Sequence, residues 1–342
     1  MIWIRADANS EIGSGHIMRC LSVASALKKM GHPVCFVLAD DFAVPLLRDS
    51  DMEYKVLGSS YDKPMEELPL LCSFLEAEKP AVFLADSYFI TPEYIAAVNG
   101  YVKTAYFDDC MEANYPVDML INYNIYGDNL PYAENALRED TEFLLGPAYA
   151  PLREEFGGKQ APFKECVRDV LVTTGGGDKY NLAGRLVEKA LTKEATKALC
   201  YHIVSGAFNV HTQELKHLSA KHENVKIHQN VKDMASLMLS CDCALSAGGS
   251  TLYELCAVGV PMICFSFAEN QKMQVETFGE KGLALYGGDY ESQGDGLIDG
   301  CIEELEKLVK DPGLRESLCV KAMQCADGRG AERIARALCR FL

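Results

Sequence analysis

The sequence predicts an α/β protein built from two Rossmann-like domains facing one cleft. Short β-rich runs alternate with helical stretches along most of its 342 residues, the pattern of a parallel sheet covered on both faces. The pattern starts afresh at "VRDVLVTTGGGD" (167–178), which repeats the strand, glycine turn and helix that open the chain at "MIWIRA" and "EIGSGH". The length also exceeds what one hydrophobic core usually accommodates.

Taken in order, the β-rich runs of the first half are "MIWIRA", 33–39, 53–57, 81–86 and 102–109. Between the first two, His16 to Met30 places Ile17, Leu21, Ala24 and Leu27 on one helical face, with Gly31 as a stop. Residues 151–166 break the rhythm with prolines, glycines and mixed charge, and read as a linker between an N-terminal domain of 1–150 and a C-terminal domain of 167–325. The second half adds a helix carrying Leu182, Leu186, Ala190 and Leu191, then β-rich runs at 199–206, 224–230, 243–251 and 261–267. From about residue 296 the chain is helical.

With 49% hydrophobic and 24% charged residues, the composition is that of an ordinary globular protein. No apolar run is long enough to span a bilayer, and the start of the chain reads as a core strand rather than a signal peptide. The fourteen cysteines mostly sit among apolar neighbours (Cys20, Cys35, Cys72, Cys166, Cys200, Cys256, Cys264 and Cys301), as small buried hydrophobes do. Without CxxC pairs or a His cluster, reduced thiols in the cytoplasm are expected and a metal site is not. A net charge of −16 argues against nucleic acid and anionic membranes as partners. Any phosphate-bearing ligand must then be attracted locally, by helix N-termini and backbone N–H groups.

Three loops are candidates for that chemistry. Gly13-Ser14-Gly15-His16 begins like a dinucleotide fingerprint, but Met18 stands where the last glycine belongs. The alternative puts His16 in the first turn of a helix whose N-terminus disfavours a positive ring, so the imidazole serves as a general base. A cap or partly buried histidine explains the loop equally well. Gly175-Gly176-Gly177-Asp178 offers several free N–H groups at a helix start, suited to a diphosphate, or is a flexible turn. "SAGGSTLYE" repeats the device with Gly248, Gly249, Ser250 and Thr251, and places Glu254 to take the hydroxyls of a ribose. Thr251 and Glu254 also fit a capping box. Asn270 and Gln271 follow in a loop after the next strand. Tyr88 faces the cleft or packs, Asp108-Asp109 lack companions of metal-ligand character, and the histidines at 202, 211, 217, 222 and 228 read as structural or exposed.

"RADANSEIGSGHIMRCLSVASAL", "DSY", "TTGGGDKYN", "LSAGGSTLYELCAVGVP" and "ENQ", in this order, resemble the UDP-2,4-diacetamido-2,4,6-trideoxy-β-L-altropyranose hydrolases of pseudaminic acid biosynthesis. The resemblance runs to about residue 285. It implies the glycosyltransferase-B fold, kinship with the peptidoglycan N-acetylglucosamine transferase, and release of UDP by water at the anomeric carbon with inversion. By the same resemblance His16 is the general base, while Tyr88 and Asn270 line the sugar and water site. Gly13, Ser14, Gly15, Arg19 and Gln271, with the segments Gly175–Asp178 and Gly248–Glu254, contact the UDP-sugar. No cofactor is implied. The partners expected are the UDP-sugar and water, for a monomer or weak dimer. The region after about 285 closes the fold, with 326–342 crossing back to the first domain. A UDP-sugar-dependent glycosyltransferase and a non-catalytic nucleotide-sugar-binding module are the rival readings, and a dinucleotide enzyme is the remaining one.

Overall fold

The computed structural model describes residues 1–9, 11–206 and 209–342. The chain divides into two compact units, Met1–Arg153 with Arg329–Leu342, and Glu154–Gly328. The first unit runs β1 (Ile2–Ala6), α1 (Gly15–Lys29), β2 (Val34–Leu38), α2 (Val44–Asp49), β3 (Glu53–Val56), α3 (Leu68–Glu78), β4 (Val82–Asp86), α4 (Pro92–Asn99), β5 (Lys103–Phe107), β6 (Met119–Asn122) and β7 (Glu142–Leu145). These strands form one parallel sheet in the order β3-β2-β1-β4-β5-β6-β7. β1, β2 and β4 are buried along their whole length, which is why they read as unbroken apolar runs rather than alternating ones.

The second unit runs β8 (Asp169–Thr173), α5 (Leu182–Leu191), β9 (Cys200–Ser205), α6 (Thr212–Lys221), β10 (Val225–Gln229), α7 (Met234–Ser240), β11 (Cys243–Ala247), α8 (Ser250–Val258), β12 (Met262–Ser266), α9 (Glu269–Glu280), β13 (Leu285–Asp289), α10 (Tyr290–Gln293), α11 (Gly296–Lys310) and α12 (Pro312–Cys325). Its sheet is also parallel, in the order β10-β9-β8-β11-β12-β13. Val170, Val172, Leu186, Tyr201, Ile203, Leu245, Ile263 and Leu305 form its core. The last helix, α13 (Gly330–Leu338), belongs to the first unit and packs against α1.

Three strands carry little signal in the sequence. β6 and β7 have four residues each. β13 contains Gly287 and Gly288, and its register slips beside Cys264 and Phe265. A Cβ on Gly287 would lie 2.4 Å from Cys301 Sγ, so close helix–sheet packing, not β-propensity, selects the glycine. Among the described residues no helix is long and apolar enough to cross a membrane.

Both sheets change winding direction at their third crossover, which opens a switch point between β1 and β4 in the first unit and between β8 and β11 in the second. Ligands of open α/β sheets bind beyond the carboxyl ends of the strands at such points. His16 follows β1, the Gly175–Gly177 turn follows β8, and Gly248-Gly249 follows β11.

Candidate functional site

In the first unit the turn after β1 is tied by Asn9, whose Oδ1 accepts hydrogen bonds from the N–H groups of Glu11 (2.8 Å) and Ile12 (3.0 Å). Gly13 has φ +71°, a conformation that side chains resist. Gly15 opens α1, and a Cβ there would meet nothing within 4 Å among the described residues. Ser14 is the N-cap residue, and its carbonyl accepts from Met18 N–H at 3.0 Å. His16 then falls in the first turn of α1, buried, with the Tyr88 ring edge-on to it at 4.5 Å between centroids. Tyr88 itself is 52% exposed. The R-A-D triplet underlies this loop: Arg5 pairs with Asp7 and, at 2.7 Å, with Glu67, while Asp7 Oδ1 accepts from Ala39 N–H at 2.8 Å.

The imidazole is held by charge. His16 Nδ1 lies 2.6 Å from Oδ1 of Asp86, the last residue of β4. An ionised carboxylate only accepts, so a proton sits on Nδ1, and in the neutral ring the Nε2 lone pair is the one left to act as a base. Burial alone would raise the Asp86 carboxyl. The Arg19 charge, followed by His16, outweighs it and holds the group well below the usual range. Asp86, Arg19 and Asp109 together carry one net negative charge, which a proton arriving at Nε2 compensates.

Arg19, read from the sequence as a substrate contact, is instead engaged throughout its guanidinium. Nε donates to Asp86 Oδ2 (2.6 Å), Nη2 to Asp86 Oδ1 (2.5 Å) and Asp109 Oδ2 (2.9 Å), and Nη1 to Asp109 Oδ1 (2.9 Å) and Tyr123 Oη (3.1 Å). These five bonds match its five N–H donors, so it positions Asp86 rather than reaching for phosphate. The adjacent Asp108 turns away from Asp109, accepting from Cys110 N–H, Met111 N–H and Tyr132 Oη.

The second unit presents backbone instead. Gly175 has φ +80°, and open space lies where its Cβ would be, among the described residues. A Cβ on Gly206 would lie 2.3 Å from Gly175 O and 2.5 Å from Gly176 O, so the end of β9 rests directly on this turn. The Thr174 hydroxyl beside it is buried and has no hydrogen-bond partner among the described residues. Asp178, also read as a ligand contact, is used locally: its carboxylate accepts from Leu182 N–H (2.8 Å) and Ala183 N–H (2.9 Å) and so caps α5.

At the β11–α8 turn the two glycines differ. A Cβ on Gly248 would strike Gln271 and Val275 of α9 at 2.9 Å, whereas Gly249, at φ +143°, faces open space among the described residues. Gly249 is the N-cap of α8, so Ser250 and Thr251 are its first two residues. Thr251 is therefore past the capping position, and the capping-box reading of Thr251 and Glu254 does not hold. Glu254 lies one turn further in, half-buried. Asn270 and Gln271 are not in a loop, as the sequence suggested, but in the first turn of α9. Asn270 is exposed, while Gln271 Oε1 accepts from Phe267 N–H at 3.1 Å.

The Glycosyltransferase family 28 C-terminal domain matches residues 170–316. The spore coat polysaccharide biosynthesis protein SpsG of Bacillus subtilis is 26% identical, over 98% of this chain and 97% of that protein. The UDP-2,4-diacetamido-2,4,6-trideoxy-beta-L-altropyranose hydrolase of Campylobacter jejuni is 23% identical, over 83% of this chain and 98% of that one. Among solved structures, MurG of Acinetobacter baumannii superposes with a TM-score of 0.70 at 14% identity, covering 99% of each chain. The chain is thus similar in sequence both to SpsG and to this altropyranose hydrolase, and it has the glycosyltransferase-B fold of MurG.

Within that fold the structure brings His16, Arg19 and Tyr88 together in the first unit, and joins to them Asp86 and Asp109, to which sequence reasoning gave no role. In the second unit it places Gly175–Gly177 and Gly248–Thr251 at the two loops flanking one switch point. Gly206 and Thr174 also escaped the sequence reading. The signal that could have exposed Asp86 is its position at the end of a buried strand, where a carboxylate needs a partner. Cys166 proved exposed and Cys72 and Cys200 half-buried, against the expectation of buried thiols.

Proposed function

We propose that this nucleotide-sugar-processing enzyme hydrolyses a UDP-linked diacetamido-trideoxy sugar, releasing UDP and the free sugar for pseudaminic (nonulosonic) acid biosynthesis. The observation that carries the reading is the buried Asp86–His16 pair, which leaves Nε2 as a base at the carboxyl end of a switch-point strand. His16 Nε2 takes a proton from water as the water oxygen bonds to the anomeric carbon. The carbon–oxygen bond to phosphate breaks on the opposite face, its electron pair leaving with UDP, and the configuration inverts. Asp86 compensates the charge on the protonated ring, and Arg19 with Asp109 keeps Asp86 ionised and oriented.

Tyr88 and Asn270 line the sugar and water site in this reading. The turns at Gly175–Gly177 and Gly248–Thr251 hold the diphosphate through N–H groups and hydroxyls, and stabilise the charge that grows on UDP as it departs. The Thr174 hydroxyl, without a hydrogen-bond partner among the described residues, supports a polar ligand at the first of them. Backbone donors also reconcile an anionic substrate with a protein of net charge −16. We place the reaction in the cytoplasm.

Glycosyl transfer is the second reading, favoured by the family 28 match over 170–316. Incubating the chain with UDP-linked deoxyamino sugars in H2¹⁸O, without acceptor, separates the two. Hydrolysis releases UDP and sugar in equal amounts, with the label on the anomeric oxygen. Intact substrate that yields UDP only after a sugar or lipid acceptor is added would establish transfer.

A further inference from the structure

The structure assigns a divalent-cation site to Asp169, Cys200 and His202 on the adjacent strands β8 and β9 of the second sheet. Cys200 and His202 lie two residues apart on β9 and so project from one face, and Asp169 of β8 pairs in register with Cys200. His202 Nε2 is 2.9 Å from Asp169 Oδ1 and 3.6 Å from Cys200 Sγ. The three ligand atoms all lie within 4.8 Å of one another. A tetrahedral cation with bonds of about 2.0–2.3 Å holds its ligands roughly 3.3–3.8 Å apart, so the two separations from His202 lie close to what one requires.

The fourth residue is the telling one. His228 of β10 places Nε2 3.0 Å from His202 Nδ1, with the rings stacked at 5.2 Å. An imidazole that ligates a metal through one nitrogen needs its other N–H held by an acceptor, and His228 supplies it. Without a cation, a proton on His202 Nε2 bridges to Asp169, and His228 donates to Nδ1. With one, the metal replaces that proton, and the tautomers of both rings reverse. Carboxylate, thiolate and imidazole together select zinc or cobalt over magnesium or calcium, which take oxygen ligands.

Lys226, exposed on β10 and in register with His202, is a competing cation. The cluster sits at the amino ends of β8 and β9, whereas the glycine turns follow the carboxyl ends of β8 and β11. The cation therefore pins β8 to β9, and takes no part in the hydrolysis proposed above. Sequence spacing concealed the set because its ligands come from neighbouring strands, with only one residue between the closest two.

Chelator-treated full-length chain, dialysed against zinc or cobalt chloride, provides the test. One cation per chain is expected, and the cobalt form should show a near-ultraviolet sulfur-to-cobalt band. Cys200→Ser should abolish the band, and His228→Ala should weaken binding about 10–100-fold. Lys226→Gln, at an exposed position, should tighten binding, which keeps the test decisive if a ligand variant fails to fold. Failure of wild type to retain cation would overturn the assignment. So would binding that persists in Cys200→Ser, or that disappears only when the exposed Cys110 and Cys166 are replaced.

Discussion

The two switch points share a topology and differ in what they offer. Beyond β1, β4 and β5 the first unit places side chains: His16, Asp86, Arg19 and Asp109, linked by charge-assisted hydrogen bonds. Beyond β8 and β11 the second offers glycine backbone, with Asp178, the carboxylate of the first of these turns, committed to capping α5. The same architecture thus serves proton transfer in one unit and, in our reading, anion binding in the other. A base needs a fixed electrostatic partner, while a diphosphate in an acidic protein needs N–H groups free of competing carboxylates.

Substitutions should break this division in a definite order. His16→Ala should lower the rate of UDP release about 10²–10⁴-fold, the usual contribution of a general base, with UDP affinity unchanged. Wild-type turnover by that variant would remove the proposed mechanism. Asp86→Asn preserves shape but removes the charge that fixes the tautomer; a loss nearer 10²-fold is expected, together with a displaced pH–rate profile.

Asp86 also sharpens the contrast through stability. Its carboxyl is held below the usual range, so the stabilisation is complete above the unfolded value of about 3.9 and is lost as pH falls below it. Acid denaturation followed by circular dichroism should therefore be less steep in Asp86→Asn. A matching acid limb in the two proteins would show that the network adds nothing to the folded state.

In the second unit, Gly249→Ala forces a side chain into φ +143°, at a strain of about 1–3 kcal/mol. UDP affinity should fall roughly tenfold, as measured by calorimetry. The smallest effect belongs to Asp178→Ala, which removes a helix cap worth about 1 kcal/mol and should lower Tm by a few degrees. Its UDP affinity should stay at the wild-type level, and a large loss would restore Asp178 as a ligand contact.

The fold class was legible because buried parallel strands and amphipathic helices impose different apolar periods, and glycines mark the turns between them. β6, β7 and β13 were not, being short or shaped by packing against Cys301. His16 stood out because the spacing of its glycines fails the dinucleotide pattern. Its partner Asp86 did not, since the pair is seventy positions apart and only sheet order brings them together. Arg19 and Asp178 show the converse limit. Their chemistry suits phosphate or ribose, but whether a charged group faces a ligand depends on whether the protein has already engaged it.

The return of residues 329–342 to the first unit carries a consequence for biosynthesis. α13 covers α1, the helix bearing His16 and Arg19, yet it is translated after the entire second unit. The second unit can complete its fold while the first still waits for its closing helix, the reverse of N-terminus-first folding. The helix that carries His16 and Arg19 therefore gains its last packing partner only when residues 330–338 emerge, and a nascent or shortened chain that ends before residue 329 would leave α1 without it.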